Sequence, residues 1–141
     1  MKFRLFLCLL IGAFGVFGSA MAGNLETWEG TSRGEGYTGN IVWEMTPIDI
    51  DAERYELSGT LKAKFNHRDH GKGQVNIRLK GEVRDGMLQA SGNGRGRIMA
   101  RSFKLRVSLQ GTMDGETGNG TLVSNDDFKL IHGTWEVSKT Q

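Results

Sequence analysis

From its sequence, this 141-residue chain is predicted to be an all-β protein, a single antiparallel up-and-down barrel of about eight strands. Three observations predict it. Apolar and polar residues alternate at period two along one stretch after another, and glycine-bearing turns separate those stretches. No segment sustains the 3.6-residue apolar period of a helix. Strands with one apolar face leave two open edges unless the sheet closes on itself, and closure brings Trp28, near the start, beside Trp135, near the end. A β-sandwich is the alternative packing of the same strands.

The segment 1–22 reads as a cleavable signal peptide preceding a β-barrel domain over 23–141. Lys2 and Arg4 come before an apolar run from Leu5 to Gly18, and Ala20-Met21-Ala22 supplies the small residues of a cleavage site. The run of fourteen residues reaches about 21 Å as a helix, short of the roughly 30 Å of a hydrocarbon core. The expected location is therefore exported, either periplasmic or secreted. Removing Lys2 and Arg4 from 18 basic residues leaves 16, equal to the 16 acids, and the only cysteine, Cys8, departs with the same segment. The mature domain is expected to be disulfide-free and held by its packed core.

The strands are expected near 26–33, 36–46, 53–65, 74–84, 87–99, 101–113, 116–124 and 127–138. The first carries Trp28, and Gly34 and Gly36 flank a turn at Glu35 leading into the second. Pro47 opens a loop to about Ala52. In the third, Leu57, Leu61, Ala63 and Phe65 alternate with Ser58, Thr60, Lys62 and Lys64. A polar loop covers 66–73. The fourth alternates Val75, Ile77, Leu79 and Val83 with Asn76, Arg78, Lys80, Glu82 and Arg84, and Asp85-Gly86 turns it into the fifth. The sixth alternates Phe103, Leu105, Val107, Leu109 and Met113 with Lys104, Arg106, Ser108 and Gln110, and ends at Asp114-Gly115. Both Asp-Gly pairs suit a type I′ hairpin turn, which needs positive φ at two successive positions.

A short theme recurs as Leu57-Ser-Gly-Thr-Leu61, Leu79-Lys-Gly-Glu-Val83, Leu109-Gln-Gly-Thr-Met113 and Ile131-His-Gly-Thr-Trp135, and more faintly at Trp28-Glu-Gly30. Its glycine falls on the apolar face, where a missing side chain lets a strand coil or admits a neighbour's ring. The Leu-x-Gly strands and Gly-Thr-Trp are similar in style to lipocalin and avidin barrels. That likeness is architectural and names no family, since the paired tryptophans of an avidin-type cavity have no counterpart.

Charge is segregated along the chain. Residues 23–53 carry seven acids and one base, 54–106 thirteen bases and four acids, and 107–141 five acids and two bases. With apolar residues inward, Lys62, Lys64, Arg78, Lys80, Arg84, Arg95, Arg97, Lys104 and Arg106 are expected to share one outer wall and to form an anion-binding surface. Its expected partners are anionic components of a cell envelope: lipopolysaccharide, anionic lipid, with peripheral membrane contact, or acidic polysaccharide. No nucleic acid partner is expected, because the protein is exported and few outward aromatics are available for base stacking.

Gly92, Gly94 and Gly96 fall at every second position, a stripe without side chains. Facing inward, they would line a cavity for a small apolar ligand together with Trp28 and Trp135, or leave room that large side chains fill; a register that turns them outward is the remaining alternative. Chemistry of catalytic type is sparse. His67, Asp69 and His70 are weak metal candidates in one loop, and His132 is expected to point outward from the last strand. No cofactor and no enzymatic activity are expected. The expected function is non-enzymatic binding, with a secreted interaction module, such as an inhibitor or immunity protein, as the alternative.

Overall fold

The computed structural model describes residues 25–49, 53–68, 71–126 and 129–140. The expected signal peptide over 1–22 lies outside the described residues. Eight strands follow one another: β1 (Glu26–Gly34), β2 (Tyr37–Asp49), β3 (Arg54–His67), β4 (Gly71–Arg84), β5 (Met87–Ile98), β6 (Arg101–Met113), β7 (Thr117–Ser124) and β8 (His132–Lys139). Each pairs antiparallel with the next, and β8 returns to β1, so the sheet is a closed barrel and not a sandwich. The seam is well tied. Lys139 Nζ meets Glu26 Oε2 at 3.4 Å, and the Ser32 hydroxyl donates to the Thr134 carbonyl at 3.0 Å while hydrogen-bonding the Tyr37 hydroxyl at 2.9 Å. Burial pushes the Tyr37 phenol above its ordinary pKa, and the Ser32 hydrogen bond opposes that shift in part.

The register fixes the width of the barrel. From Glu26, successive partners are Met45, Leu57, Gly81, Ala90, Leu109, Leu122 and Gly133, and the circuit returns to Gly34. The stagger is thus 34 less 26, eight residues, for eight strands. A barrel of that stagger is just wide enough for layers of side chains to fill it. The layers here pair large residues with glycine. One row runs Trp43, Gly59, Leu79, Gly92, Val107, and the next Ile41, Leu61, Ile77, Gly94, Leu105. A side chain on every strand would overfill a row; glycine alternates with large residues in the first row and stands at Gly94 in the second, so Leu79 and Ile77 lie across bare backbone of β5. Trp43 packs edge-on against Trp135 with ring centroids 5.5 Å apart, and the Trp135 indole donates to the carbonyls of Gln110 and Thr121.

Four local expectations are corrected. Pro47 does not open a loop: β2 continues through it to Asp49, with a register shift between the two that accommodates a residue lacking an N–H. The polar stretch 66–73 is mostly strand, since β3 runs on to His67 and β4 starts at Gly71. The last strand begins at His132, five residues later than expected, and just before it the Leu130 amide donates to the Asp126 carboxylate instead of to a neighbouring strand. Asp85 and Gly86 both take positive φ (53° and 78°), as a type I′ turn requires, but Asp114 and Gly115 do not. The Asp114 carboxylate instead accepts from the amides of Glu116 (2.8 Å) and Thr117 (2.7 Å) and from the Thr117 hydroxyl (3.1 Å).

Those hydrogen bonds, the Glu116 amide foremost, hold the Asp114 carboxyl below its ordinary pKa. A native pKa below the unfolded one makes a contribution complete above the unfolded value and lost as pH falls through the native value. The expected result is a gap in melting temperature between the wild type and Asp114→Asn that is steady near neutral pH and closes in acid, below the ordinary aspartate range. Thermal melts over a pH series check this; a gap independent of pH would refute it.

Candidate anion-binding wall

Alternation along β3 to β6 turns every expected cation outward, and all nine are exposed. The pairing arranges eight of them in rows that run across the strands. Lys64 lies opposite Gln74, then Arg97 and Ser102; Lys62 opposite Asn76, then Arg95 and Lys104. Next come Thr60, Arg78, Asn93 and Arg106, and then Ser58, Lys80, Ser91 and Ser108. No carboxylate stands in these four rows. Within a row a cation usually faces an amide or hydroxyl. The exception is Arg95, directly opposite Lys104.

Arg84, the ninth, does not belong to the wall. It faces Arg54 on β3 and Met87 on β5, and its guanidinium lies 3.7 Å from Glu82, which also holds Arg54 at 3.8 Å. Two residues further along β4 than Glu82, it shares that carboxylate with Arg54, a relation that strand phase alone does not reveal. The ion pairs of Arg54 and Arg84 go to Glu82 and that of Lys139 to Glu26.

At the centre of the wall one side chain is held in place. Arg106 Nε donates to Asn93 Oδ1 at 3.1 Å, which leaves the terminal guanidinium nitrogens for another acceptor. The Arg106 amide donates to Asn125 Oδ1 at 2.9 Å, and the Asn125 amide donates back to the Arg106 carbonyl at 2.9 Å. Arg95, Lys104 and Arg106 surround a depression of about 610 Å³ whose lining also includes Asn93 and Asn125. A second depression, of about 400 Å³, lies between Arg33, Asn40, Lys62, Lys64, Gln74 and Asn76. Arg33 reaches the wall through Thr38, which pairs with both Arg33 and Lys64. Sequence reasoning passed over Arg33 and the amides. The outward phase of Asn76 and Asn93 was readable from alternation, whereas Asn125 arrives from a loop and had no such signal.

The inner residues form a packed layer. Gly92, Gly94 and Gly96 face inward, as do the buried Trp28 and Trp135. A Cβ on Gly92 or Gly94 would stand 2.8 and 2.6 Å from Ile77 side-chain atoms, and one on Gly96 2.5 Å from the Phe103 ring. Trp43, Leu61, Val107 and Leu109 are 0% exposed, so no water-sized sphere reaches them. Of the metal candidates, His67 ends β3 opposite Gly71, and Asp69 and His70 lie outside the described residues. His132 is exposed at the start of β8. Among the described residues no three histidine, cysteine, aspartate or glutamate side chains gather as metal ligands.

No protein-family model, curated protein or solved structure matches the chain.

Proposed function

We propose that the protein is an exported, non-enzymatic binding protein that engages an anionic ligand through the outer wall of β3 to β6. The observation that carries this reading is the set of four carboxylate-free rows, with Arg95 and Lys104 face to face. Like charges opposite each other across strands are destabilising, by roughly 0.2–1 kcal/mol for a close pair. A fold that needed these positions only for solubility would intersperse acids, as it does around Glu82. An anion bound to the wall removes the repulsion and adds charge-assisted hydrogen bonds, which arginine forms in pairs with carboxylate or phosphate. Export is supported by the charged start, apolar run and small residues of 1–22.

Chromatography on immobilised heparin, a generic polyanion, tests the reading. The protein from residue 23 onward carries no net charge at neutral pH, so retention would report the wall and not the total. Retention is expected in about 50 mM salt, with release as screening rises toward about 0.5 M. Passage straight through the column at low ionic strength overturns the proposal.

A further inference from the structure

We infer that the ligand is a linear acidic polysaccharide, laid across β3 to β6 with Arg95, Lys104 and Arg106 as its anchor; this rests on the anion-binding reading above. Shape argues first. Eight strands share the full circle at about 45° each, so outward side chains on β3 and β6, three steps apart, diverge by about 135°. A planar membrane cannot meet Lys62 and Arg106 together, whereas a flexible chain can follow the curve. The wall also lacks what a lipid surface needs. Among the described residues, large exposed apolar side chains are absent from β3, β4 and β6, β5 has only Met87, at the Arg84 end away from the anchor, and Met99 stands singly in the β5–β6 turn, too little apolar area for a lipid surface. Peripheral membrane binding draws on buried apolar area as well as charge.

Spacing argues next. Strands lie about 4.8 Å apart, so cations on alternate strands recur at about 9.6 Å. Between them stand Asn76, in the row from Lys62 to Arg95, and Asn93, in the row from Arg78 to Arg106. An amide both donates and accepts. The Asn76 acceptor would face the anions of an unbroken run of phosphates, but it matches the hydroxyls that a sugar chain presents between its carboxylates or sulfates, while Asn93, whose Oδ1 accepts from Arg106, keeps a donor for the chain. Asn93 serves twice, since it also orients Arg106. Among the described residues, the large exposed apolar side chains include no aromatic ring, so the stacking that holds single-stranded nucleic acid is missing.

The test uses substitutions that leave charge unchanged. A fluorescent hexameric uronate is titrated by anisotropy against the wild type and against N76A/N93A, with competition by inorganic polyphosphate and by phosphatidylglycerol vesicles. Two hydrogen bonds lost from the ligand correspond to about a tenfold weaker affinity. The expected result is that loss for the hexauronate, a lower elution salt from heparin, itself an acidic polysaccharide, and both competitors weaker than unlabelled hexauronate. Equal affinity in both proteins, or stronger competition by polyphosphate or vesicles, overturns the polysaccharide assignment and leaves anion binding standing. Failure to bind both heparin and hexauronate removes both.

Discussion

Replacing Gly92 by alanine is expected to destabilise the barrel by about 3 kcal/mol or more, a large part of the 5–15 kcal/mol that holds an ordinary domain together. The added Cβ would lie 2.1 Å from the Arg78 carbonyl oxygen and 2.8 Å from an Ile77 methyl. The oxygen belongs to backbone that is paired on both sides, so relief requires β4 and β5 to separate or Ile77 to leave its row. Neither is local, because the rows interlock around a closed circuit. The same substitution at Gly115 is the internal control. A Cβ there would meet no heavy atom within 4 Å, and alanine should change stability by less than about 1 kcal/mol. Urea denaturation of the two variants beside the wild type decides the matter. Similar midpoints for Gly92→Ala and wild type would mean that the stripe is not packed as described.

Joint replacement of Arg95, Lys104 and Arg106 by serine is expected to abolish heparin retention at about 50 mM salt without lowering stability. The side chains project outward from strand centres, and removing the Arg95–Lys104 opposition relieves a repulsion. Stability should therefore hold or rise by up to about 1 kcal/mol. In direct titrations of weaker binding, the slope of log affinity on log salt should fall by about two, near 0.7 for each cation removed. Arg84→Ser is the matched control: Glu82 lies beside that charge and offsets part of it, so its removal should move the elution position less than loss of an anchor cation. Equal effects from Arg84 and from a single anchor cation would show that retention follows total charge and not the wall.

The strand plan was readable because period two is a local property. Side chains of β3, β4 and β6 alternate faces residue by residue, and water sorts them before any neighbour is known. Asp85-Gly86 was readable for the same reason, since its turn needs only two residues able to take positive φ. Asp114 misled because its carboxylate finds three donors within the next three residues, and these override the pairing that Asp-Gly alone suggests. Pro47 misled because a register shift lets a strand pass through a residue without a donor. The wall divides similarly. Outwardness of the nine cations followed from phase, but the ion pairing of Arg84 and the contact of Asn125 with Arg106 depend on strands and loops meeting in space.

By itself, the order of residues determined the all-β class, the strand count and the outward phase of the cations that alternate with large apolar residues. Each is a consequence of alternation and turn chemistry acting over a few neighbours. Only the tertiary structure decided that β1 meets β8, that the glycines of β5 face inward, that a stagger of eight residues makes a narrow interior, and that Arg95 confronts Lys104 while Arg84 lies beside Glu82. Register is the physical reason. Sliding one strand by two residues preserves every inside–outside assignment yet changes every partner, so it is set by how glycines and large side chains interlock across strands.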